Sequence, residues 1–266
     1  MPKLNVVLRT CDRVSLASDR IVPKDQCIYR CLNSLVNSLS VQSMPWTLHI
    51  IDDASSKTTQ SQIQRIAPMA TFDLLPERDQ SDMNGKQKSR HSVRVAYDHV
   101  YTLPLDELVY IVEDDYLHYP DSIEKMIQAW QHFADLFPGT AIGIFPQDFP
   151  ELYPHPRNPF NDTYVRPCIV IPGPDRYYRT TWFTHESFMV PVNLIHRYRE
   201  HFERLQDIGT VDGAWEGTSL STVWQQKDVS MLMPMQTLAL HVSKQNDLPF
   251  FNTDFDTLWN NNQVNL

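Results

Sequence analysis

The stretch Leu108-Val109-Tyr110-Ile111-Val112-Glu113-Asp114-Asp115-Tyr116-Leu117-His118-Tyr119-Pro120-Asp121 decides how this chain is read. Its first five residues are apolar without alternation, the pattern of a strand buried on both faces of a parallel sheet. Three acids follow at once. Packing Glu113, Asp114 and Asp115 side by side at a strand terminus costs free energy unless a cation neutralises them. Hard oxygen ligands of this kind suit Mg2+ or Mn2+ bridging substrate phosphates. The plainer alternative is that the acids cap the next helix, which explains Asp121 after Pro120 better than it explains the triplet. That helix should run from Pro120 to about Phe137, with Ile123, Met126, Ile127, Trp130 and Phe133 on its inner face.

Reading back toward the N-terminus, strand-like and helix-like segments alternate. Leu4 to Leu8 reads as a buried strand, and Cys27, Ile28, Cys31, Leu32, Leu35, Val36 and Leu39 line one side of a helix that starts after Pro23. A strand from Thr47 to Ile51, a weaker helix around Ile63 and Ile66, and a strand from Phe72 to Leu75 come next. A helix carrying Val93, Ala96, Tyr97 and Val100 then leads into the strand at Leu108. This alternation predicts an α/β fold with a mostly parallel central sheet flanked by helices, binding ligands beyond the carboxyl ends of its strands. A second pair of acids, Asp52 and Asp53, stands at such an end, where a carboxylate can accept hydrogen bonds from a base N–H or from ribose hydroxyls. An acid-rich turn with Ser55 or Ser56 capping a helix accounts for the same segment equally well.

Composition sets the outer bounds. The 266 residues are 42% hydrophobic and 21% charged, and Gly and Pro together number 7 + 19 = 26 without a period, so low-complexity and collagen-like readings fail. A net charge of 23 − 32 = −9 argues against a surface that coats polyanions, though not against one local basic patch. Four cysteines make no disulfide framework, and Cys27 and Cys31 stand four apart within a helical pattern, as reduced core thiols would. The first ten residues lack a signal h-region and no apolar run approaches the roughly 18 residues that span a bilayer. The expectation is a soluble, cytoplasmic protein without a transmembrane segment. From Phe145 to Arg179, prolines cluster with Tyr153, Phe160, Tyr164, Tyr177 and Tyr178, the texture of ordered loops around a site.

Taken in order, these motifs resemble those of GT-A fold glycosyltransferases, nearest the inverting family 2. Arg9-Thr10-Cys11-Asp12-Arg13 stands where that family has a P-T-Y-N-R-like turn, and Ile51-Asp52-Asp53-Ala54-Ser55 resembles its V-D-D-G-S-like turn, departing at Ala54. Glu113-Asp114-Asp115 keeps the family distance from a D-x-D motif to a Pro-Asp helix start, with Glu replacing the first Asp. Gly85-Lys86-Gln87-Lys88-Ser89-Arg90 resembles a G-x-x-x-A-R-N-like segment at Gly85 and Arg90. The resemblance implies a Rossmann-like sheet with an acceptor-side mixed β/loop region. It implies one domain over 1–266, with about 1–120 binding a nucleotide sugar and about 121–266 the acceptor. It makes Asp115 the direct metal ligand and Glu113 a water-mediated one, and it gives Thr10, Arg13, Asp52, Asp53, Arg90, Glu113 and Asp114 to the donor's base, ribose and phosphates.

The resemblance extends weakly into the second half. Ser230 to Leu240 reads as a strand ending in His241, which is similar to the late histidine that binds metal in many GT-A enzymes. Asp212 and Glu216 both fit the family's general base, Asp212 being preferred, and either also fits a helix-start acid. Trp182 to Phe188 reads as a strand, with Trp182 suited to stacking on a sugar or base and His185 and Glu186 to an acceptor site. The implied activity is Mn2+- or Mg2+-dependent transfer of a sugar from a UDP-sugar to a carbohydrate or other hydroxyl-bearing acceptor, with inversion. Two alternatives stand beside it. One is glycosylation of hydroxymethylated bases in viral DNA, which the acidic balance disfavours. The other is sugar-phosphate nucleotidyl transfer, which lacks its glycine-rich phosphate loop here.

Overall fold

The computed structural model describes residues 2–13, 22–77, 85–149, 152–154, 165–207, 216–242 and 254–264; within these, the side chains of 85–89 and 216–218 are not described. The first half follows the expected alternation closely. Strand β1 (Leu4–Thr10) leads to α1 (Lys24–Val41), β2 (Trp46–Asp53), α2 (Lys57–Ile66), β3 (Thr71–Leu75), α3 (Gly85–Val100) and β4 (Leu108–Glu113). The apolar stripe of α1 does what its spacing demands: Cys27, Ile28, Cys31, Leu32, Leu35 and Leu39 are all buried. Cys27 and Cys31 are free thiols 4.0 Å apart.

After β4 come β5 (Tyr116–His118), α4 (Ser122–Leu136), β6 (Ala141–Ile144), β7 (Val170–Pro172), β8 (Tyr177–Thr180) and β9 (Phe188–Pro191). The chain continues through α5 (Val192–Arg197), α6 (Arg199–Glu203), α7 (Glu216–Trp224), β10 (Val229–Pro234), β11 (Ala239–His241) and α8 (Phe255–Asn261). Nine strands form one sheet in the order β3-β2-β1-β4-β9-β6-β10-β8-β7, while β11 and β5 pair separately. The pairings make β8 and β9 run against the other strands of that sheet, so the carboxyl ends of β1, β2, β4, β6 and β10 share one edge. One apolar layer packs α1, α2 and α4 on one face, and a second, with Tyr97, Phe188, Phe202 and Trp224, packs α3, α6 and α7 on the other.

Three expectations fail locally, each for a physical reason. Trp182 to Phe188 is not a strand: Thr181 Oγ1 donates to Phe183 O and accepts from Phe183 N at 3.2 Å, closing a turn, and pairing begins only at Phe188. Ser230 to Leu240 is two strands in different sheets, broken after Pro234 where Gln236 takes a left-handed φ of 91°. Asp121 does not cap α4 through its side chain; it pairs with Lys125 at 2.6 Å, one turn on.

Candidate active site

Strands β1, β2 and β4 end side by side, and their terminal polar residues interlock. Thr10 Oγ1 donates to Asp52 Oδ2 at 2.9 Å, while Asp52 Oδ1 accepts from Ser55 N at 3.0 Å and Gln60 Nε2 at 2.9 Å. Asp52 is buried and its oxygens are taken up by the protein, so it shapes the turn. Ser56, not Ser55, caps α2 by accepting from Thr59 N at 3.2 Å. Ala54 carries a φ of 58° in this turn, the left-handed conformation for which a glycine is suited. Asp53 is buried at the end of β2, and its carbonyl lies 3.3 Å from Cys11 Sγ. Burial, with help from Asp53, Asp114 and Asp52, pushes the Cys11 thiol up to about 11 against a backbone hydrogen bond, so it is no thiolate nucleophile.

Each acid of the triplet has a partner of its own. Arg9, at the end of β1, pairs with Glu113 at 3.1 Å and with the buried Glu186, and Glu113 N donates to Ser187 Oγ at 3.1 Å. These contacts clip the loop before β9 to the ends of β1 and β4. Lys24, the first residue of α1, places Nζ 2.5 Å from Asp114 Oδ1, and Cys11 N donates to Asp114 Oδ2 at 2.9 Å. Burial opposes the Lys24 charge, yet Asp114 and Asp115 hold its ammonium well above the usual lysine range. Burial and the neighbouring Asp115 charge raise Asp114 despite Lys24.

Asp115 directly precedes β5, whose Tyr116 pairs with His241 on β11, and Val242 N donates to Asp115 O at 2.8 Å. The imidazole Nε2 is 3.1 Å from Asp115 Oδ2, and His241 N donates to Gln147 Oε1 at 3.2 Å. Asp115 Oδ1 is buried with no hydrogen-bond partner among the described residues. Burial works to raise its carboxyl, but His241, Lys24 and His185 together hold it well below the ordinary range. The His185 ring stacks on His241 with centroids 6.0 Å apart.

The other candidates are less central. Arg13 is exposed and pairs with Glu77. Arg90 is half-buried in the second turn of α3. Asp212 lies outside the described residues, as do the side chains of Glu216, Lys86 and Lys88. Lys24 and Gln147 were not singled out from the sequence, since nothing local marks a lysine that finds its carboxylate 90 residues away.

The model for Glycosyl transferase family 2 matches residues 24–199 of the 266. The chain belongs to glycosyl transferase family 2. The match takes in the Asp52-Asp53 turn, the acid triplet and Lys24, and stops before Asp212, Glu216 and His241. With the sheet described above, this family 2 chain has the GT-A α/β fold.

Solved structures with a similar course include TarS from S. aureus, at 11% identity and TM-score 0.48 over 89% of this chain and 36% of that one. The mannosyltransferase PcManGT from Pyrobaculum calidifontis, solved with GDP-Man and Mn2+, is 16% identical at TM-score 0.44, over 86% of this chain and 56% of that one. A 4-diphosphocytidyl-2C-methyl-D-erythritol synthase is 7% identical at TM-score 0.45, over 92% and 94%. This chain thus spans about a third to three-fifths of the TarS chains it resembles. No curated protein matches it by sequence. No helix among the described residues is long and apolar enough to cross a membrane.

Proposed function

We propose that this family 2 chain transfers a sugar from a UDP-sugar to an acceptor hydroxyl, with inversion, using a divalent cation held by Asp115 and His241. The observation that carries this reading is Asp115 itself, whose Oδ2 meets His241 Nε2 while its buried Oδ1 has no partner among the described residues. A buried carboxylate oxygen left unsatisfied is costly, and a carboxylate oxygen with an imidazole nitrogen is a donor set that fits Mn2+ or Mg2+. Among the described residues no group of three His, Cys, Asp or Glu side chains could hold an ion, so a bound ion would draw further ligands from elsewhere, such as a diphosphate or water. When bound, the ion would supply charge neutralisation for the departing diphosphate.

The chain's own residues divide the rest of the work. Lys24 and Arg9 keep the acid triplet compact, with Asp114 and Glu113 as their partners. Asp53, buried at the end of β2, is assigned to accept a base N–H, with Thr10, Asp52 and Arg13 framing that turn. Arg90 is assigned to the phosphates by its place near the start of α3. Asp212 or Glu216 is assigned to take the proton of the attacking hydroxyl. Residues of about 1–120 form the donor half and about 121–266 the acceptor half of one domain.

Thermal unfolding with UDP-sugars, with and without Mn2+, tests this reading. Ligand at about 100 times its dissociation constant should add about 2.7 kcal/mol, and Asp115→Asn should lose the Mn2+-dependent part. No response to any UDP-sugar, or an undiminished Mn2+ response in Asp115→Asn, refutes the assignment.

A further inference from the structure

A second site lies farther along the same sheet edge, where a buried arginine makes no direct ion pair among the described residues. Arg179, on β8, is 6% exposed. It stacks over the Tyr153 ring at 4.2 Å from the ring centre, its Nε is buried without a hydrogen-bond partner, and no carboxylate among the described residues comes within ion-pair distance. Asp148 interacts with the Arg179 charge without a direct ion pair, and its two carboxylate oxygens accept from Tyr153 Oη at 2.9 and 3.1 Å. An arginine cannot shed its charge, and a buried Nε–H without an acceptor is unfavourable, so an anion that reached it would be bound.

Beside Arg179 is a cavity of about 470 Å3, lined chiefly by apolar atoms of Leu152, Val170 and Met235 together with Tyr153 and Arg166. Arg166 is exposed at its mouth, 5.5 Å from the centre of the Trp182 ring. The cavity belongs to the ligand-binding edge by topology: Arg179 pairs with Met233 near the carboxyl end of β10, which runs parallel to β6. The loop leaving β6 carries both Asp148 and Gln147, and Gln147 accepts the backbone N–H of His241. The two sites are therefore joined by one loop.

We propose that this cavity is the acceptor subsite and that it takes an anionic group, phosphate or carboxylate, borne on an apolar or planar body. Arg179 is the ion-pair partner, with donors left over to meet the anion, and Arg166 adds charge at the mouth. The apolar wall selects against a bare ion. Calling this the acceptor's place rests on the donor lying at Asp115; the anion-binding property does not.

Calorimetric titration of the full chain with phenyl phosphate, benzoate, benzyl alcohol and inorganic phosphate tests it, with UDP and Mn2+ titrated separately. Phenyl phosphate or benzoate should bind at least tenfold more tightly than benzyl alcohol and inorganic phosphate, and whichever of the two is preferred names the anion. Arg179→Met should weaken that binding at least tenfold and leave the UDP titration unchanged. Val170→Trp, at the exposed β7 position paired with Arg179, should fill the cavity while leaving the arginine itself in the chain. Equal binding of benzyl alcohol, undiminished binding in both variants, or displacement of phenyl phosphate by UDP would overturn the proposal. Failure of the UDP arm alone would instead overturn the donor assignment.

Discussion

His118 offers a quantitative test of how the paired strands β5 and β11, which hold Asp115 beside His241, are themselves held. It lies on β5, 1% exposed, with Nε2 2.8 Å from Tyr110 Oη and its backbone N–H donating to Ser34 Oγ at 2.9 Å. Burial pushes the imidazole from its ordinary 6.5 down to about 3, outweighing a hydrogen bond with the Tyr116 backbone. In the unfolded chain it protonates near its ordinary value, so between the two values the unfolded state binds the extra proton. His118 therefore favours folding fully above its unfolded pKa, and that contribution is lost as pH falls toward the folded value. The slope in this window approaches about 1.4 kcal/mol per pH unit, so moving from about pH 7.5 to about pH 5 should cost about 2 kcal/mol through this residue. Urea unfolding followed by tryptophan fluorescence at both pH values measures it. In His118→Gln the acid loss should be smaller by about that 2 kcal/mol, while the carboxylates titrate alike in both proteins and cancel. An equal acid loss in both proteins, or a His118 ring resonance that titrates near its ordinary value, would falsify the argument.

Other predictions concern the strand ends. Ala54→Gly should raise stability by about 0.5–1 kcal/mol in the same assay, because relief of the left-handed strain at φ 58° exceeds the added chain entropy of glycine; a loss would mean that the Ala54 methyl packs usefully. Glu186→Gln should cost about 3 kcal/mol or more by weakening the buried pairing of Arg9, whereas Arg9→Met with Glu186→Leu should cost less than the single change. Lys24→Met should destabilise by a similar amount, about 3 kcal/mol, and Lys24→Arg should recover most of it; an unchanged unfolding midpoint in Lys24→Met would show the Asp114 pair to be dispensable.

The order of elements up to β4 was legible because each rests on a local rule. The continuous apolar run of β4 and the stripe of α1 both require burial, and a three-to-four spacing cannot be met by a strand. The acceptor side was less legible. There the chain turns on features with no local signature, such as the left-handed Gln236 between β10 and β11 and the Thr181 hydroxyl that folds a strand-like sequence into a turn. The family likeness found the turns at Asp52 and Glu113, yet it could not tell which carboxylates the protein consumes. Asp52 has the same sequence credentials as Asp53, and only the approach of Thr10, Ser55 and Gln60 marks it as internal.

The same distinction recasts the case for a metal. From the sequence, the argument is one of total charge: three adjacent acids call for a cation. In the folded chain that demand is met in part, since Arg9 faces Glu113 and Lys24 faces Asp114, while Asp115 faces the His241 imidazole. Total charge is therefore a weaker argument for an ion than the sequence suggests. What argues for one is a single atom, the buried Asp115 Oδ1, which has no donor among the described residues although its sister oxygen meets His241 Nε2. The contrast with Arg179 is instructive, because there the unsatisfied group is cationic. One sheet edge thus leaves an unmet acceptor at the end near β4 and an unmet donor near β10, polarities suited respectively to a cation carrying a leaving group and to an anion carried by an acceptor.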